Sequence, residues 1–232
     1  MRQREPIALS WSGGKDSAMA LRELRDDDRY EVVELLTTVA DRFDRVSHHG
    51  VRGELLAMQA QAVGVPLHRI NLPVETDQGC SSDTYEQIMR AAMDDCLSRD
   101  IRTVAFGDLY LEGVRDYRIK QLARVDMQAV FPLWLRDTRQ LIDAFRADGY
   151  RAVVTCVDTE QLDGSFAGRW LDQSFINDLP PGVDPCGENG EFHSFVVDGP
   201  VFDYSLDVRV GERLLRDTRM FADVRFAHAP IG

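Results

Sequence analysis

The sequence predicts an α/β fold: a doubly wound parallel sheet followed by a smaller C-terminal α+β domain. Three observations carry this. Short apolar runs alternate with helical patterns over the first 130 residues. The connections between those runs are long enough for right-handed parallel crossovers. After Arg124 the alternation loosens, which places a boundary near residue 130.

The elements follow in order. Ile7 to Trp11 is a short apolar strand, and a helix runs from about Asp16 to Arg25. Glu31–Thr38, with Val32, Val33, Leu35 and Leu36, is a second, buried strand. A polar loop from Ala40 to Gly50 leads to a helix over Gly53–Val63, with Gly64 as its C-cap and Pro66 opening a third strand through Asn71. A helix at Asp83–Ser98 precedes a fourth strand, Thr103 to Phe106. Beyond it, Asp137 and Gln140 have capping spacing for a helix carrying Leu141, Ile142 and Phe145 and ended by Gly149. Ala152–Val157 is another strand, and Gln173–Glu191 is rich enough in Pro, Gly, Asp and Asn to be irregular. The tail from Val201 to Phe226 alternates partially, and Gly211-Glu212 signals a hairpin turn.

Composition narrows the function classes. A net charge of −12 lacks the clustered Lys and Arg of a nucleic-acid footprint, so no nucleic-acid partner is expected. No apolar run approaches the roughly 18 residues of a membrane span, and the N-terminal residues lack a signal-peptide core. The chain therefore reads as cytoplasmic, with no membrane partner. The four cysteines, Cys80, Cys96, Cys156 and Cys186, form no C-x-x-C pair, which disfavours both a zinc site and a disulfide framework. Cys96 ends the helical stripe Tyr85, Ile88, Met89, Ala92, and Cys156 lies in an apolar run, so both read as core. Trp134 and Trp170 read as packing residues.

The chemistry is concentrated after the first strand, in Ser12-Gly13-Gly14-Lys15-Asp16-Ser17. Two glycines between strand and helix let the backbone approach an anion, and the helix that follows offers unpaired N–H groups and a positive dipole end. Ser10, Ser12 and Ser17 add hydroxyls and Lys15 a charge, whereas Asp16 would repel a phosphate unless a cation intervenes. Asp16 is therefore the candidate Mg²⁺ ligand. The spacing is too tight for a Walker A loop. A second dense segment, Asp184-Pro185-Cys186-Gly187-Glu188-Asn189-Gly190-Glu191-Phe192-His193-Ser194, gathers acids and an imidazole suited to holding a polar substrate and moving protons.

The hexamer resembles the S-G-G-x-D-S signature of N-type ATP pyrophosphatases. Together with the second segment, Gly107-Asp108-Leu109, Asp116-Tyr117-Arg118, Pro132-Leu133-Trp134 and Asp198-Gly199-Pro200-Val201-Phe202, it resembles the diphthine–ammonia ligase-like, or ATP-binding domain 4, family. The resemblance runs from about Ile7 to Phe202. It implies an adenine nucleotide α-hydrolase-like (HUP) sheet, with residues 1–130 binding nucleotide and residues 131–232 binding substrate. It also implies ATP and Mg²⁺ as cofactors, adenylation of a carboxylate with loss of pyrophosphate, and displacement of AMP by ammonia or an amine. The diphthine ligases read G-E-G-G-E-[FY]-E-[TS] where this chain has Asn189 and His193. That is the variant of a sister group linked to cobalamin salvage, so the acceptor, diphthine or a cobalamin-related carboxylate, stays open.

The candidate catalytic residues are thus Lys15, Asp16, Glu188, Glu191 and His193. Ser10, Ser12, Gly13, Gly14, Lys15, Asp16, Ser17, Thr38, Gly107 and Asp108 are the candidates for ATP. His48, Arg52, Arg115, Arg118 and Asn189 are those for the acceptor. Self-association as a homodimer is compatible with this reading. Two alternatives stand beside it: a sulfur-transfer enzyme of the same superfamily, for which paired cysteines would be expected, and a non-catalytic nucleotide-binding module.

Overall fold

The computed structural model describes residues 4–41, 45–46, 50–74 and 80–228. Five parallel strands form the first sheet: β1 (Glu5–Ser10), β2 (Tyr30–Ala40), β4 (Leu67–Leu72), β5 (Thr103–Ala105) and β6 (Gln128–Val130). Their order is β4-β2-β1-β5-β6, and β3 (Arg45–Val46) pairs antiparallel with the end of β2. Helices α1 (Lys15–Asp26), α2 (Gly53–Val63), α3 (Ser82–Ser98) and α4 (Glu112–Ala123) make the connections.

The central strands are apolar on both sides because both faces of the sheet are covered. Alternation along β1 sends Ile7 and Leu9 into one core with residues of α1 and α2. Ala8 goes to the opposite core, with Ala92, Met93 and Cys96 of α3 and Leu122 of α4. Cys96 is core, as its helical stripe predicts, and Cys156 is equally buried.

The second sheet is antiparallel, in the order β8 (Phe192–Asp198), β7 (Arg151–Asp158), β10 (Arg219–Phe226), β9 (Val208–Arg216). Helices α5 (Thr138–Ala147) and α6 (Gln173–Asp178) accompany it. This sheet packs on the α1 side of the first: Phe145, Val153 and Phe195 share one continuous hydrophobic cluster with Ile7, Leu9 and Leu21. Among the described residues no helix is long and apolar enough to cross a membrane.

Several elements differ from the sequence reading. The hairpin turn is not at Gly211-Glu212 but at Asp217-Thr218, with Asp217 in the left-handed region at φ 50°. Gly211 lies inside β9 opposite a register shift in β10. A Cβ there would stand 3.0 Å from the carbonyl oxygen of Asp223, so the glycine marks a bulge. The segment Gln173–Glu191 is not wholly irregular, since Asp172 caps the short helix α6 by accepting from the Phe175 N–H at 2.9 Å. Strand β6 has only three residues, the first exposed and the next two half-buried, too short for a periodicity to register.

The capping expectation at Asp137 is met: its Oδ1 accepts from the Gln140 N–H at 2.8 Å and opens α5. Losing a cap of this kind typically costs about 0.5–2 kcal/mol. Asp137→Ala should therefore lower the free energy of urea unfolding by that amount with an unchanged slope. An unaltered midpoint would show that the bond contributes nothing.

Candidate active site

The strand order reverses between β1 and β5, because the chain first builds outward through β2 and β4 and then returns. In such sheets the crevice outside the carboxyl ends of the strands at that reversal is the ligand site. The loop Ser12–Gly14 leaves β1 there, and Gly107-Asp108 leaves β5 beside it. The two approach closely, since a Cβ on Gly107 would lie 2.9 Å from the carbonyl carbon of Asp16.

The loop is held from three directions. Gly13 adopts φ 78°, and its carbonyl accepts from the Val196 N–H at 2.9 Å and from Gln59 Nε2 at 3.0 Å. Ser12 Oγ accepts from the Gly14 N–H at 3.2 Å, and Ser17 Oγ donates to the Gly14 carbonyl at 2.9 Å. The Lys15 N–H donates to Ser194 Oγ of β8 at 3.2 Å. The second sheet therefore sets the shape of the loop that the first sheet delivers.

Lys15 is buried, with Nζ 2.9 Å from Asp16 Oδ2 and 5.5 Å from the centre of the Phe192 ring. Burial works against its ammonium, but the neighbouring charges, Asp16 foremost, outweigh that and raise its pKa. Glu188 reaches in from the second segment, its Oε1 accepting from the backbone N–H groups of Leu109 at 2.8 Å and Tyr110 at 3.4 Å. Burial, with Asp16 and Asp108 adding, pushes its carboxyl up to about 7 against the opposing Leu109 bond. Asp184 organises this segment by accepting from the N–H groups of Cys186 and Glu188.

The remaining candidates divide. Ser10, Ser12, Thr38 and Phe106 line a cavity of about 570 Å³ over the carboxyl ends of β1, β2 and β5, together with Tyr117 and Arg118 of α4. Asp108 is ion-paired with Arg118, Oδ2 to Nε at 2.7 Å, and that guanidinium lies 4.3 Å from the Phe106 ring. Arg115 stacks 4.8 Å from the Trp134 ring and has no carboxylate partner among the described residues. Trp134 is thus a platform for an arginine as well as a packing residue.

Glu191 is buried, and its Oε1 accepts from the Asp184 N–H at 2.9 Å and from Asn189 Nδ2 at 3.0 Å, so both residues shape the loop. Phe192 and Ser194 face Lys15; alternation along β8 puts His193 on the other face, away from the loop. Arg52 is engaged by Asp223 of β10 in a two-pronged ion pair at 3.0 and 2.9 Å, which fastens α2 to the second sheet. His48 lies outside the described residues. Gln59 was not legible as a site residue, because a single Gln in a helix that also carries Gln61 has no distinguishing spacing.

Among the described residues no three His, Cys, Asp or Glu side chains converge to hold a metal ion on their own. A single carboxylate such as Asp16 suits Mg²⁺, which is ordinarily bound by one or two carboxylates together with substrate phosphates.

A glycine loop at a sheet reversal, continuous with a helix N-terminus that begins at a buried lysine, is an arrangement that suits an anion. The profile of the diphthamide synthase N-terminal domain matches residues 5–127, and that of the C-terminal domain matches residues 137–229. The chain belongs to this family, a diphthine–ammonia ligase-like branch of the N-type ATP pyrophosphatases. It is 25% identical to the diphthine–ammonia ligase of Rattus norvegicus, and 24% identical to that of Homo sapiens. Each alignment covers 95% of this chain and 89% of the relative. It is also 25% identical to the diphthine–ammonia ligase of Danio rerio, over 93% of this chain and 91% of the relative.

The carboxyl of Glu188 provides a pH test. Its pKa lies near 7 in the folded chain and at about 4.3 in an unfolded one. Between those values the folded state binds the extra proton, so stability falls as pH rises. Glu188→Gln keeps an oxygen for the Leu109 N–H and removes the ionisation. In the ligand-free protein it should match wild type at pH 4.5 and exceed it by on the order of 1–3 kcal/mol at pH 8. A difference in urea unfolding energy that does not change with pH would contradict the assignment.

Proposed function

We propose that the protein is an ATP-dependent ligase that adenylates a carboxylate and converts it to an amide, forming a C–N bond with ammonia or an amine. The observation that carries this is the loop Ser12–Ser17 at the strand reversal, with Lys15 buried inside it and Glu188 facing it. On this reading residues 1–130 hold the nucleotide and residues 131–232 the acceptor. The cavity lined by Ser10, Thr38 and Phe106 takes the adenosine. The loop N–H groups, Ser12, Ser17 and Lys15 take the β- and γ-phosphates. Asp16, with those phosphates, would hold Mg²⁺, which neutralises charge on the departing pyrophosphate.

The chemistry asks for positioning more than for a protein nucleophile. A carboxylate oxygen of the acceptor attacks the α-phosphorus, and the bond from that phosphorus to the bridging oxygen breaks. Pyrophosphate leaves into the loop. Nitrogen then attacks the acyl carbon, the bond to AMP breaks, and the nitrogen sheds its proton. Glu188, titrating near neutral pH, is suited to take that proton up. Arg115, stacked against Trp134 and without an ion-pair partner among the described residues, is suited to hold an anionic group of the acceptor. The relatives named diphthine–ammonia ligase support the amide-forming class. Asn189 and His193 are where this chain departs from them, so the acceptor is proposed only as a carboxylate.

Sulfur transfer is not favoured, because Cys96, Cys156 and Cys186 are buried, with burial pushing each thiol up, which leaves half-buried Cys80 without a second accessible thiol to pair with.

The test uses ATP, Mg²⁺, ammonium and a panel of carboxylates, with AMP and pyrophosphate assayed against ADP and phosphate. Wild type should form AMP and pyrophosphate. Asp16→Ala should lose at least about 100-fold in that rate, the scale of removing one group that stabilises developing charge, while circular dichroism shows it still folded, with a lowered urea midpoint because Lys15 loses its buried partner. Wild-type turnover in Asp16→Ala would sink the loop assignment.

A further inference from the structure

Gln59 lies in the middle of α2, outside the motifs, and is completely buried. A buried amide is costly unless its donors and acceptor are satisfied. Here each partner is a different element around the site. Oε1 accepts from the Trp11 indole N–H at 2.7 Å, and Nε2 donates to the Gly13 carbonyl at 3.0 Å and to the Val196 carbonyl at 2.6 Å. The partners fix the amide's orientation, since an indole N–H only donates and carbonyls only accept.

The geometry points to Gln59 as a positioning residue that prevents the Gly13–Gly14 peptide from flipping. In a trans peptide the carbonyl and the following N–H point in opposite directions. With the Gly13 oxygen fastened by Gln59 Nε2 and the Val196 N–H, the Gly14 N–H is directed the other way, toward Ser12 Oγ inside the loop. A rotated peptide would aim a carbonyl dipole at the anion and withdraw a donor. Two consecutive glycines make that rotation easy, because neither carries a Cβ to oppose it. The sequence that lets the backbone approach a phosphate therefore also needs an external lock. Gln59 closes the lock by joining loop, helix α2 and strand β8. This inference rests on the pyrophosphate role of the loop.

The probes are inorganic pyrophosphate with Mg²⁺ and, separately, adenosine, each titrated calorimetrically into the full chain. Gln59→Leu should weaken pyrophosphate at least about tenfold, the scale of one hydrogen bond to a charged group lost, and leave adenosine unchanged. Gln59→Met, closer in shape and more adaptable, provides the same comparison if the leucine variant does not fold. Trp11→Phe removes only the bond to Oε1, so it should weaken pyrophosphate less than either. Unchanged pyrophosphate affinity in a folded Gln59 variant would overturn the proposal. Equal weakening of pyrophosphate and adenosine would also overturn it, by showing a merely structural role. If wild type binds adenosine but no pyrophosphate, the loop's assigned function fails, and the lock falls with it.

Discussion

The carbonyl of Gly13 is the point on which the site depends. It accepts from the Val196 N–H and from Gln59, and through these two bonds the second sheet and helix α2 grip a loop that belongs to the first sheet. The Lys15 N–H adds a third tie, to Ser194 of the same strand. Neither half of the chain builds the loop alone. The shared hydrophobic cluster of Ile7, Leu21, Phe145 and Phe195 makes these ties geometrically reliable, because packed cores deform little.

Around that frame the buried Lys15 and the carboxyl groups of Asp16 and Glu188 stand close together. Lys15 stays charged although buried because Asp16 lies 2.9 Å away. Glu188 is drawn toward neutrality by burial and by the neighbouring acids. A group titrating near 7, anchored by the backbone of Leu109 and Tyr110, can change protonation during a reaction without moving. Asp108 has its charge matched by Arg118, whereas Arg115 on the same helix makes no ion pair among the described residues and its Nε is buried without a hydrogen-bond partner there.

Much of the fold was legible because its signals are local. The alternation of Ile7, Ala8 and Leu9 between two cores, the cap at Asp137 and the glycine loop all follow from short-range patterns. The tail hairpin was legible only in outline. Gly211 looks like a turn residue but fills a bulge, while the real turn uses Asp217, which tolerates the left-handed region without announcing it. At the site, the residues of the two motifs were nameable, but their division of labour was not. Glu191 and Asn189 bond to each other inside the loop, His193 is sent to the other face by strand alternation, and Arg52 is engaged by Asp223. Each of these depends on contacts between residues distant in the chain. Gln59 is the extreme case, since its role exists only once three elements have met.

On the proposed function, Ser12–Ser17 receives the two phosphates that leave ATP together. A crystal structure of the protein with Mg²⁺ and α,β-methylene-ATP tests this most directly, because that analogue resists cleavage at the proposed bond. The β- and γ-phosphates should lie on the Gly13–Ser17 backbone beside Lys15. Adenosine should occupy the cavity at Thr38 and Phe106, and the α-phosphate should face Glu188. A triphosphate bound elsewhere, or one placing the γ–β bond alone toward the second sheet, would contradict it.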